Sequence, residues 1–168
     1  MAPPRPPPPK PRAWSASRRH PRLRYSRAAL ARCLEVLDAL PGPRPPPGEI
    51  SLAFLTDDAL ARIHADFLDD PTPTDVITFP GEAGSGLAGE VCVSVDRARA
   101  EARQRQRPFA LELTLYVVHG WLHLAGSDDL TPRGRQAMRR GERRLLAALD
   151  RARALPDFSW MSRKKSTV

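Results

Sequence analysis

The chain has 168 residues, enough for one domain with a modest core, and only 6% of them are aromatic, so aliphatic side chains must fill that core. No apolar run approaches the roughly 20 residues a membrane-spanning helix needs, and Pro and Arg stand where a signal core would be; a cytoplasmic protein is expected. The net charge is +8, but the first 24 residues carry +7 and the last six carry +3, so the body between them is close to neutral. Basic tails attract polyanions by counterion release without a shaped groove, or serve solubility alone.

Residues 1–21 hold eight prolines and few aliphatic side chains. They cannot bury enough surface to offset ordering entropy and read as a disordered tail. A short strand near Leu23 follows, and Ser26 is placed to cap a helix to about Leu40, with Leu30, Leu34, Val36 and Leu37 on its apolar side. Residues 41–48 form a stiff Pro-rich loop. Glu49–Thr56 alternates as a strand, and Asp57 is the expected cap of a helix through Phe67. A turn at 69–73 leads to a strand over Thr74–Phe79, ended by Pro80. The Gly-rich stretch Gly81–Gly89 reads as a mobile loop before a strand over Glu90–Ser94. Helices are expected over Val95–Gln104, from Pro108 through Leu122, and from Thr131-Pro132 through Leu149. The tail from 156 to 168 reads as frayed. Cys33 and Cys92 fall on apolar faces and read as small buried hydrophobes. Few strands among several helices, without strict alternation, indicate an α+β fold: a small mixed sheet packed with helices.

The chemistry concentrates in His119-Gly-Trp-Leu-His123-Leu-Ala-Gly126-Ser-Asp128-Asp129. Residues four apart share a helix face, so both imidazoles can grip one ion, as on a zincin metal-binding helix. Gly126 can end the helix in a left-handed cap, and Asp129 then supplies a third ligand from the returning chain. Two histidines and a carboxylate leave a coordination position for water, and a bound ion lowers that water's pKa toward neutrality. His119 and His123 are thus catalytic candidates through that water. Only four histidines occur in the chain, and these two lie on an otherwise apolar helix where an unligated ring would need a partner. Zincin proteases carry a glutamate after the first histidine; Gly120 stands there instead. Trp121 should point away from the metal, into the core.

These residues resemble the signature H-G-x-L-H-L-x-G-y-D-H of the YbeY family of rRNA-maturation endoribonucleases. His119, Gly120, Leu122, His123, Leu124, Gly126 and Asp128 match in order. Residues 73–80 (PTDVITFP) are similar to the family's P-T-D-V-L-S-F-P, residues 89–94 (GEVCVS) to its G-D-I-x-I-S, and Met138 with Glu142 to its final M-x-x-x-E. The resemblance covers about residues 23–150, within a domain expected over 22–155. It implies an α+β fold, one zinc ion per chain, cytoplasmic location and cleavage of single-stranded RNA in 16S rRNA 3′-end maturation. The implied partners are rRNA and the small ribosomal subunit, with neither DNA nor a membrane.

Two positions depart from the family pattern. Its last signature residue is histidine, where this chain has Asp129. Zinc accepts carboxylate oxygen, but the added negative charge should weaken Lewis acidity. Asp128 is then a supporting residue or the runner-up ligand. Upstream, the family's asparagine and arginine are His64 and Leu68 here. An arginine there would suit a phosphate, and Arg62 is the nearby candidate to replace its charge. Thr74 and Asp75 either orient ligands and water or satisfy a turn. A metalloprotease-like hydrolase and a metal-binding ribosome-assembly factor without catalysis are the alternatives.

Overall fold

The computed structural model describes residues 12–69 and 74–162. The basic residues before 12 and after 162, and most of the expected turn at 69–73, lie outside them.

In chain order the elements are β1 (Trp14–Arg18), β2 (Leu23–Arg24), α1 (Arg27–Ala39), β3 (Glu49–Leu55), α2 (Asp57–Leu68), β4 (Val76–Pro80), β5 (Leu87–Ser94), α3 (Val95–Gln104), α4 (Phe109–Leu124), α5 (Pro132–Arg151) and β6 (Ser159–Trp160). Four strands form one mixed sheet in the order β1-β3-β5-β4. β1 and β5 each run parallel to β3, and β4 runs antiparallel to β5. This is the expected α+β architecture. Alternation along β3 explains how both faces are covered. Ile50, Leu52 and Phe54 enter the main core with α1, α4 and α5, whereas Ala53 and Leu55 join Leu60 of α2, Ile77 and Cys92 on the other face. Cys33 and Cys92 are free and buried, and burial pushes both thiols up to about 12.

Helix ends follow local chemistry. Ser26 caps α1 by accepting from the Ala29 amide, and Thr131 caps α5 with Pro132 at its first turn. At α2 the expectation is corrected by one residue. Thr56, not Asp57, accepts from the Ala59 amide. Asp57 lies inside the first turn, where its carboxylate accepts from the Ser94 hydroxyl and a negative charge suits the helix dipole.

Both tail boundaries need correction. Within 1–21, β1 forms the sheet edge, and Trp14 stacks on Trp121 of α4 with ring centroids 5.6 Å apart. His20 is buried; its Nδ1 accepts from the Arg22 amide, so Nε2 donates to Asp96 at 3.0 Å. Arg12 ties the same segment to Asp38 at 3.0 Å and to the carbonyls of Pro45, Pro46 and Gly48. Within 156–168, β6 pairs with β2, and Phe158 is buried against Tyr25 and Phe54. W-S-A-S-R has little strand propensity of its own. Pairing with β3 and the tryptophan stack supply the order, which composition does not record. Trp14→Ala should therefore lower stability by about 2 kcal/mol, from lost half-buried area and ring stacking. Chemical denaturation checks this; an unchanged midpoint would mean β1 is dispensable.

The glycine-rich stretch also differs from expectation. Strand β5 starts at Leu87, and Gly89 pairs with Ile50 on one side and Pro80 on the other. A Cβ on Gly89 would lie 2.8 Å from the Phe79 carbonyl oxygen and 2.5 Å from a Leu124 methyl. This glycine serves close packing under α4, not mobility.

Candidate metal centre

α4 carries the two histidines. It enters at Pro108 without a side-chain cap and ends where expected. Gly126 adopts φ +93°, its amide donates to the His123 carbonyl, and the Ser127 amide donates to the Leu122 carbonyl. This paired Schellman closure turns the chain back toward the helix face it has just left. Arg135 then donates to the Asp129 and Leu130 carbonyls, holding the return loop.

The turn brings three donors together. His119 Nε2 and His123 Nε2 are 3.0 Å apart, and Asp129 Oδ2 lies 3.7 Å from each. Among the described residues this is the one group of three or more His, Cys, Asp or Glu able to share an ion. Tetrahedral zinc with bonds near 2.0–2.1 Å requires ligand atoms about 3.3 Å apart. The observed triangle straddles that value.

Hydrogen bonds behind the rings decide which atoms face the centre. His119 Nδ1 meets the Glu142 carboxylate at 2.8 Å, and His123 Nδ1 meets the Ser127 carbonyl at 3.1 Å. Both partners can only accept, so both rings donate from Nδ1. Each neutral ring then turns a bare Nε2 lone pair on the other at 3.0 Å. Without a cation between them, or an extra proton on one ring, that contact is repulsive. Burial disfavours charge on His119, but the Glu142 hydrogen bond and carboxylate, with Asp75 and Asp129 beyond, outweigh it and raise its pKa. The donor set, the triangle and the fixed tautomers all fit a divalent ion.

Glu142 appears in the sequence only as part of the M-x-x-x-E resemblance, with no role attached. It reaches His119 from α5, and no local spacing relates residues 23 apart. Glu142→Gln should weaken metal affinity about 10–100-fold while leaving the ligands in place, as loss of a partner behind a ligand does elsewhere. Competition with a chromogenic chelator measures it; unchanged affinity would show that Glu142 does not tune the ring.

The other expected site residues separate. Asp128 is exposed, and its carboxylate accepts from the Leu130 amide at 2.7 Å, so it shapes the turn. Asp75 lines the cleft beside His119 while its carboxylate accepts from the Val76 amide. Thr74 also lines the cleft. Arg62 is exposed on α2 and is not part of that lining. Trp121 is buried in the core, as expected. The cleft has a volume of about 510 Å³ and is bounded by α3, α4, α5 and the segment before β4.

The sequence profile described as "Endoribonuclease YbeY" matches residues 23–150. The chain belongs to the YbeY family. Among its relatives, Endoribonuclease YbeY of Phocaeicola vulgatus is 34% identical over 102 residues, which are 61% of this chain and 74% of that one. Endoribonuclease YbeY of Elusimicrobium minutum is 40% identical over 96 residues, 54% of this chain and 67% of that one. The solution structure of TM1509 from Thermotoga maritima has the same fold, with a TM-score of 0.56 and 21% identity over 84% of this chain and 91% of that one. The matched span contains His119, His123, Asp129 and Glu142, so the three donors that could share an ion lie inside the YbeY-like region.

Proposed function

We propose that this chain is a zinc-dependent, single-strand-specific endoribonuclease that acts in small-subunit (16S) rRNA 3′-end maturation and ribosome biogenesis, in the cytoplasm. The observation that carries the proposal is the triad of Nε2, Nε2 and Oδ2 with both imidazole tautomers fixed from behind, in a chain of a family named for endoribonuclease activity. No helix among the described residues is long and apolar enough to cross a membrane.

In this role His119, His123 and Asp129 hold one zinc ion. When bound, the ion supplies Lewis acidity and lowers the pKa of a coordinated water. Glu142 and the Ser127 carbonyl keep the rings aimed at it. The cleft beside His119, lined by Arg97, Arg105 and Arg139, would present side chains to the backbone of an RNA strand.

Gly120 also bears on the protease alternative. A Cβ there would lie 2.3 Å from Val91 Cγ1, so position 120 faces the sheet. It can carry no base toward the metal, which favours phosphodiester over peptide hydrolysis.

The test is incubation of the purified protein with zinc and a labelled single-stranded RNA spanning a 16S 3′ end. Cutting should disappear with chelator and return with zinc. RNA left intact by stoichiometrically loaded protein, alone or with small subunits, would reject catalysis and leave the assembly-factor role.

A further inference from the structure

The body's near-neutral charge conceals a local concentration of cations. α5 alone has seven arginines against two acids, and one of those acids, Glu142, is engaged by His119. Helix periodicity then explains which arginines reach the cleft. On α3 and its C-cap, Arg97, Glu101 and Arg105 are spaced four residues apart, and all three line it. On α4 the lining runs Glu112, Leu115, Tyr116, His119, the i, i+3, i+4, i+7 stripe of one face. On α5, Arg139 lies three residues before Glu142 and lines it too. The groove therefore extends from the metal triad along seven residues of α4, about 10 Å.

Its far end is closed by internal pairing. Glu112 is buried, and its oxygens lie 3.6 Å from Arg105 and 3.7 Å from Arg107, with no hydrogen bond to either carboxylate oxygen. Arg105 also pairs with Glu101 at 3.1 Å. Arg105 is thus neutralised by the protein. Arg97 and Arg139 have no ion pair among the described residues. The four residues joining α3 to α4 make the two helices an antiparallel pair. That course carries Arg97, eight residues before Arg105, back toward the His119 end. Arg139 lines the same cleft from α5, three residues before Glu142, which meets His119.

We propose that Arg97 and Arg139 are the phosphate-binding residues of the cleft, holding the backbone of a single RNA strand next to the metal triad. This rests on the endoribonuclease function proposed above. Two guanidiniums from separate helices, neither ion-paired among the described residues to the cleft's carboxylates Asp75, Glu101, Glu112 and Glu142, present fork-shaped donors suited to phosphate oxygens. They occupy the place in the chemistry for which Arg62 is the expectation from sequence.

The test compares full-length zinc-loaded protein, the Arg97→Gln/Arg139→Gln double variant and a charge-matched control, Arg32→Gln/Arg140→Gln, whose residues are exposed and outside the cleft lining. Fluorescence anisotropy with a labelled single-stranded RNA across a salt series reads binding, and gel analysis of the same samples reads cutting. The cleft double variant should bind about tenfold more weakly. Its log K against log salt should be flatter by roughly 1.4, or 0.7 per lost phosphate contact, with KM raised more than kcat is lowered. Equal affinity and equal slope in the cleft and control variants would overturn the proposal, as would wild-type protein that binds no RNA. Wild-type protein that binds RNA with a slope steeper than the cleft variant's by that amount but never cuts would reject the nuclease function and leave the phosphate sites standing.

Discussion

Replacing His119 by alanine is expected to remove both the bound metal and RNA cleavage. The triad is the minimum that holds an ion while leaving a position for water. Without His119 the remaining donors are His123 Nε2 and Asp129 Oδ2, 3.7 Å apart. The substitution also strands the Glu142 carboxylate, which is largely buried and has that imidazole as its hydrogen-bond partner. The loss of affinity should therefore exceed the roughly 100-fold upper end seen when only a partner behind a ligand is removed. Elemental analysis of protein purified without added metal should fall from stoichiometric zinc to background, and cleavage should fall with it. The fold should survive, because the His119 side chain lies at the cleft wall and is 23% exposed. Asp129→Ala should act in the same direction. Zinc retained at full stoichiometry in His119→Ala would place the ion elsewhere, and cutting retained without zinc would trace to a contaminant.

The second large effect is structural. Gly120→Ala should destabilise the protein by about 1–3 kcal/mol, the usual cost of overpacking. The added methyl would sit 2.3 Å from Val91 Cγ1, 3.1 Å from Cγ2 and 3.2 Å from Cβ. Val91 is buried in the middle of β5 and β-branched, so it cannot swing aside. α4 must therefore move off the sheet, taking His119 and His123 with it. For a domain of this size about 1–3 kcal/mol corresponds to a Tm lower by roughly 2–12 °C. Metal affinity should fall too, because the helix that shifts is the one that carries both rings. A Gly120→Ala protein with unchanged Tm would mean that the α4–β5 contact is loose enough to absorb a methyl group.

Where local chemistry governs, structure was legible in the residues themselves. Ser26, Thr131 and Pro132 mark helix starts because their side chains or ring satisfy or remove orphan amides within one turn. The His119–His123 spacing and Gly126 predict the shared imidazole face and the helix exit because both depend on one helix and one turn. Even within this range a neighbour of similar chemistry can take the role, as Thr56 does from Asp57.

What tertiary structure alone decided involves partners distant in the chain. β1 and β6 are strands because β3 and β2 offer them open edges, and Trp14 is held by Trp121. Glu142 governs His119 across 23 residues. Gly120 needs to lack a side chain only because β5 passes beneath it. Arg97 and Arg139 meet at one cleft, whereas Arg62, nearer in sequence to the expected phosphate position, does not reach it. Sequence spacing determines which side chains share a face, because a helix repeats every 3.6 residues. Which faces meet depends on how helices pack on the sheet, and that follows from burial of the whole core.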